Sequence, residues 1–315
     1  MRNGLFALVS DGCAAIMPVM NTMPARRMFF LLGLLVFAAA CIVAPAEEKV
    51  LYEKQSPYNT VLVTVNDQGL RTLRFEKGGA RQSVVKVGDP DHLELPYVRV
   101  ALAGLAFCDN PQRVLVVGLG GGTIPSFLRK HYPQTTIDAV DIDPEVVHVA
   151  MRFFGFREDA KMQAHVADGR KFIEDCRQPY DIIVLDAFGA DNVPYSLATV
   201  EFIRSVKRTL SPRGIAIGNI WSRHSNPLYN AMVRTYQEVF DELYLFDVQG
   251  ADNRILVGLP RTERLSRSEL TRRAKRISKE KGFRFDLGKL VASGYQFVSE
   301  KDPSARVLTD KEKPN

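Results

Sequence analysis

Histidine and cysteine, the side chains that most often build metal centres, are scarce: five and four in 315 residues. His92, His131, His148, His165 and His224 are too scattered to share an ion, so no metal is expected. Cys13 and Cys41 fall in the N-terminal segment, which leaves Cys108 and Cys176 for the folded part. Internal repeats and low-complexity tracts are absent, which excludes a solenoid and a mainly disordered chain. What remains is ordinary for a folded protein: 46% hydrophobic and 25% charged residues, enough for one large domain with an accessory module.

Negative charge is in shorter supply than positive. The net charge is +6 and the pI about 9.1. Much of the excess gathers in Arg261, Arg264, Arg267, Arg272, Arg273, Lys275, Arg276, Lys279 and Lys281, where residues 265–282 read as a basic helix. A solvated helix face accounts for such a cluster, and no nucleic acid is expected, although a polyanion-binding surface has the same composition.

The one long apolar run, Met28–Ala46, follows Arg26-Arg27 and precedes Glu47-Glu48-Lys49. A charged start, an apolar middle and the small-residue site Ala44-Pro45-Ala46 together read as a secretory signal, with Met23 as an alternative start. An uncleaved membrane anchor is the other reading, because the run is close to the roughly 17 residues that a bilayer requires. In both cases the arginines stay inside and the remainder crosses. The domain is then periplasmic or membrane-anchored, touching the membrane only through this segment; it is cytoplasmic if the segment is no signal.

Four regions follow. Residues 1–46 are the signal or anchor. Residues 50–92 form a β-rich module, in which Val61–Val65 and Leu70–Phe75 flank the turn Asn66-Asp67-Gln68-Gly69 and Ser83–Val87 supplies a third strand. Residues 93–260 open with an apolar helical stretch, Leu95–Phe107, and continue as a βα alternation. Its strands are Val114–Val117, Ile137–Val140, Ala164–Ala167, Ile182–Leu185 and Ile215–Ile220, and Leu243–Val248 with Ile255–Gly258 make an antiparallel edge pair. Residues 261–315 are the basic helix and a tail. Mostly apolar strands separated by helices predict an α/β fold: a doubly wound, mostly parallel Rossmann-like sheet of the class I methyltransferase kind, binding ligands at its carboxyl edge.

The chemistry-bearing residues fall at that edge. Gly118-Leu119-Gly120-Gly121-Gly122-Thr123 follows the first strand and opens a helix, a place where glycine lets the backbone approach a ligand. Asp141 closes the next strand roughly 20 residues on, where an acid accepts hydrogen bonds from both ribose hydroxyls; Ile142 follows it. The G-x-G-x-x-G spacing is missing, which favours a methionine-like nucleoside tail over a pyrophosphate. Asp168-Gly169 closes the third strand, where Asp168 either takes an adenine amino group or caps the following helix. Asp186 ends the fourth strand beside Gly118, as a base toward an attacking amine or as a turn aspartate satisfied by backbone amides.

Together with Ser56-Pro57-Tyr58-Asn59, these motifs resemble the spermidine synthase (polyamine aminopropyltransferase) family. The runs Val193–Phe202 and Val307-Leu308-Thr309-Asp310 are most similar to its transporter-fused branch. The resemblance implies aminopropyl transfer from decarboxylated S-adenosylmethionine to a small amine, with S-adenosylmethionine-dependent methylation or binding without turnover as alternatives. It implies that Asn59, Gly118, Gly120, Gly122, Asp141, Ile142, Asp168 and Gly169 hold the co-substrate, that Asp186 is the base, and that Tyr58 and Tyr97 lie near the amine, with Asp191 and Asp310 as acids that substitute for those the family carries there. A homodimer is the common assembly of relatives. Departures stand at Thr123, at Ala187-Phe188-Gly189 in place of S-S-D, and at Glu94-Leu95-Pro96-Tyr97 near the amine pocket, where Asp91 and Glu94 are substitute acids.

One pairing follows from the expected fold. Cys108 lies ten positions before Gly118 and Cys176 ten before Asp186. The two strands are expected to be adjacent, so the thiols should reach the same rim and form a disulfide, with two unrelated thiols as the alternative.

Overall fold

The computed structural model describes residues 48–189 and 192–312. The signal or anchor segment therefore lies outside the described residues. Four strands come first: β1 (Lys49–Gln55), β2 (Thr60–Val65), β3 (Leu70–Arg74) and β4 (Arg81–Lys86). They form an antiparallel sheet in sequential order. Gly69 takes φ +74° in the β2–β3 hairpin, as its Asn-Asp-Gln-Gly turn requires.

Helix α1 (Pro96–Ala101) and a 3-10 turn (Leu102–Ala106) lead into the main sheet. Its elements alternate: β5 (Arg113–Val117), α2 (Thr123–His131), β6 (Thr136–Asp141), α3 (Pro144–Phe153), β7 (Met162–Val166), α4 (Gly169–Asp175), β8 (Tyr180–Leu185), α5 (Val200–Thr209) and β9 (Leu210–Trp221). Then come α6 (Tyr229–Val239), β10 (Glu242–Asp247), β11 (Asn253–Leu259), α7 (Arg267–Lys281), α8 (Leu287–Gly294) and β12 (Tyr295–Phe297). The strand order is β12-β10-β11-β9-β8-β5-β6-β7. Strands β7 to β9 run parallel, and β11, β10 and β12 pair antiparallel beyond them. The predicted β10–β11 pair is present, but β12 covers it, so it is not the edge.

The apolar runs are explained by burial on two faces. Val114, Val116, Ile182 and Val184 join a core with α1, α2, α7 and α8, whereas Leu115, Val117, Ile183 and Leu185 join a second core with α5 and α6. A strand with helices on both sides has no position that water selects for polarity. The basic helix α7 is amphipathic: Leu270, Ala274 and Ile277 are buried, and Glu269 pairs with Arg272 and Arg273 while Arg276 pairs with Asp109. Residues 261–312 are thus no separate tail. They complete the core and the sheet, within a unit running from Glu47 onward. Among the described residues no helix is long and apolar enough to cross a membrane.

The predicted disulfide is absent: Cys108 and Cys176 are free thiols. Cys108 packs against the α1 core and Cys176 against the α5 core, on opposite faces of the sheet. Equal spacing from two neighbouring strand ends sets the rim but not the face, and the face keeps these sulfurs apart.

Candidate active site

A cleft opens where β5, β6 and β8 end. Gly118 leaves β5 with φ +96°, and a Cβ there would collide with the Asp186 carbonyl. Only glycine lets the two strand ends approach this closely. Asp141 closes β6 with Oδ2 accepting the Leu119 N–H at 2.9 Å and Oδ1 accepting the Asp143 N–H at 3.0 Å. Burial raises its pKa, against the pull of those amide bonds. It therefore braces the glycine turn while facing the cleft, with acceptor capacity left over.

Three more amides of the turn are engaged. Gly118 donates to the Val140 carbonyl at 2.8 Å, Gly121 to Ser83 Oγ at 2.9 Å and Gly122 to the Leu119 carbonyl at 2.8 Å. Ser83 comes from β4, so the small sheet reaches over and caps the turn. It also brings Asn59, Phe75 and Gln82 to the opposite wall. That sheet is seated on α3, where Tyr52 and Lys54 both donate to Glu145 and Ser56 donates to the buried Asp143. Val61, Val63 and Leu73 pack there against Val146 and Val149.

Asp168 caps a helix at the wall of the cleft. Its Oδ1 caps α4, accepting from Arg170 at 2.8 Å and Lys171 at 3.1 Å, and the residue lines the cleft with Gly169. Asp186 sits at the opposite end. Its N–H is tied to the Val117 carbonyl at 2.8 Å, its Oδ1 accepts from Asn219 Nδ2 at 2.8 Å and its Oδ2 from the Tyr97 hydroxyl at 3.2 Å. Burial pushes its pKa up to about 7, with the Asn219 and Tyr97 bonds pulling the other way. Burial, then the neighbouring Asp186 charge, holds the Tyr97 phenol well above its ordinary value. The pair is a neutral donor on a carboxylate that changes charge near neutrality.

Nine predicted residues thus meet in one cleft: Asn59, Gly118, Gly120, Asp141, Ile142, Asp168, Gly169, Tyr97 and Asp186. Others do not. Gly122 begins α2 at φ +72°, backs onto Phe156 and lines a separate hollow with Thr123 and Arg129, so the glycine run faces two ways. Tyr58 is 51% exposed and lies off the cleft wall. Asp310 is held by Arg170 in a two-pronged ion pair of 2.7 and 2.6 Å, which ties the C-terminal segment to α4 rather than to the cleft. Asp91 is bound by Lys130 and His131, and Glu94 by His92. Asp191 lies outside the described residues. Among the described residues no group of three or more acidic, histidine or cysteine side chains is placed to hold a metal.

Sequence reasoning missed Ser83 and Asn219. Asn219 left a signal, a lone amide inside the apolar run Ile215–Trp221, and it is 4% exposed. A buried polar group needs a partner, and its partner is Asp186.

Residues 98–245 match the spermine/spermidine synthase domain. A polyamine aminopropyltransferase of Vibrio vulnificus is 36% identical over 236 residues, covering 71% of this chain and 78% of that protein. The chain belongs to the spermine/spermidine synthase family. Similarity also reaches an eEF1A lysine and N-terminal methyltransferase of Bos taurus, 34% identical over 186 residues, which cover 53% of this chain but 26% of that protein. Among solved structures, a probable spermidine synthase from Corynebacterium glutamicum superposes with a TM-score of 0.64 at 21% identity, over 82% of this chain and 96% of that one. Human methyltransferase-like protein 13, in complex with SAH, gives 0.55 at 31% identity, over 60% and 93%. The spermine/spermidine synthase fold and the methyltransferase fold share the sheet described above.

Proposed function

We propose that this protein transfers an aminopropyl group from decarboxylated S-adenosylmethionine to a small primary amine of the polyamine class. The single observation that carries the reading is Asp186, a carboxylate that titrates near neutrality at the end of the cleft where β5 and β8 meet. An amine attacks carbon only after losing a proton. Asp186 takes that proton from the ammonium, and the neutral amine then forms the new N–C bond as the C–S bond of the sulfonium breaks and the thioether departs. Asp141 would hold the ribose and Asp168 the adenine, each through the oxygen capacity its backbone bonds leave unused.

The glycine turn favours the decarboxylated co-substrate. Its cleft-lining amides donate within the protein, Gly118 to Val140 and both Leu119 and Gly120 to Asp141, so a ligand carboxylate would find no free backbone donor among them and would face Asp186 instead. The methyltransferase relatives support a second reading, methylation with intact S-adenosylmethionine. Product formation from decarboxylated S-adenosylmethionine and putrescine tests the first; Asp186→Asn should lower kcat/KM on the order of 10²- to 10⁴-fold. Full activity in that variant would refute the assignment. The charged and apolar N-terminal segment supports export of the domain, which a fused reporter active only outside the cytoplasm would detect.

A further inference from the structure

Behind Asp186 two amides stand in line. Parallel register sets Leu185 beside Gly218, so Asp186 comes alongside Asn219 at the next position. Antiparallel register sets Asn219 opposite Ile255, and Asn253 lies two residues away on the same face of β11. Asn219 Nδ2 donates to Asp186 Oδ1 at 2.8 Å, and Asn253 Nδ2 donates to Asn219 Oδ1 at 3.0 Å. The direction of this chain is forced. An ionised carboxylate only accepts, so Asn219 must turn its nitrogen toward Asp186 and its oxygen toward Asn253, which must then donate.

We infer that Asn219 and Asn253 are positioning residues, a two-amide strut across β8, β9 and β11 that holds the Asp186 carboxylate in its ionised, amine-facing arrangement. The inference rests on the proposed role of Asp186 as base. Its far end lies two strands from the carboxylate, yet the charge state at Asp186 dictates which way Asn253 presents its amide. Other titratable groups around the strut are bound elsewhere or are neutral. Tyr97 on α1 is a protonated donor, Asp141 at the end of β6 is taken by backbone amides, and beyond Asn253 the Asp252 carboxylate accepts from Ser222 while Arg254 pairs with Asp247 at 2.6 Å.

Asn253→Asp is the informative variant, because it keeps the shape and touches neither Asp186 nor the cleft. It makes both ends of Asn219 face acceptors, so one carboxylate must meet the amide oxygen. Two readouts apply to the purified protein: titration of the Asp186 carboxyl carbon by NMR, and the acid limb of kcat/KM with decarboxylated S-adenosylmethionine and putrescine. Both should move up by about one pH unit in Asn253→Asp and in Asn219→Leu, and by less in Asn253→Ala. Unmoved values in a folded Asn253→Asp protein would overturn the strut. If the wild type turns nothing over, the aminopropyl reading fails, while the NMR titration still decides the strut.

Discussion

At the scale of single residues, the decisive competition is at Asp186, between burial and two donated hydrogen bonds. Burial prevails, and the carboxyl protonates at about 7. Activity should therefore fall as the pH drops through 7, because the protonated acid cannot take the amine's proton. Stability runs the other way. The folded state binds this proton more tightly than the unfolded chain, so the contribution of Asp186 is full below its ordinary value of 3.8 and is lost as the pH rises to about 7. Asp186→Asn should accordingly melt a few degrees above the wild type at pH 8, with the gap closing in acid; calorimetric scans across that range check it. Asp168→Ala should lose about 1 kcal/mol from the α4 cap in urea unfolding, together with affinity for the adenosyl ligand.

At the scale of elements, the small sheet matters as much as the glycine turn it caps. Glu145 fastens that sheet to α3, and although burial works against it, Lys54 and Tyr52 hold its carboxyl below the ordinary range. Its stabilisation is thus present above pH 4.5 and lost as the pH falls through the lowered value. Glu145→Ala should cost about 1–3 kcal/mol in urea unfolding at pH 7 and weaken adenosyl binding, because the sheet carries Asn59 and Ser83. Ser83→Ala, by uncapping the Gly121 amide and loosening the turn, should weaken adenosyl binding, which calorimetric titration would measure. The strand positions were legible because burial on both faces leaves unbroken apolar runs between glycine and aspartate stops. The strand-end acids were legible for the same reason. Gly122 was not, since a run of adjacent glycines does not tell which amide faces which hollow. Asn219 was not, since its partner is brought alongside by strand register, over thirty-three positions of sequence.

At the scale of the whole molecule, the sheet divides the interior into two layers, and that division explains why the expected disulfide does not form. Cys108 and Cys176 are equally far from neighbouring strand ends, yet each is packed into a different layer. Thermal stability should be the same with and without reductant, and a reductant-dependent melting temperature would show a bond that the fold does not contain. The C-terminal region was read as a tail because its charge dominates its composition, whereas Leu270, Ala274 and Ile277 place α7 in the core. Asp310 illustrates the same limit, because its pairing with Arg170 spans most of the domain. What the molecule presents as a whole is one cleft with acids at both ends and a glycine turn whose donors are already spoken for. The most direct test of that arrangement is calorimetric titration of the purified protein with decarboxylated and intact S-adenosylmethionine. The decarboxylated ligand should bind at least about tenfold more tightly, a difference of roughly 1.4 kcal/mol. Equal or tighter binding of the intact ligand would contradict it.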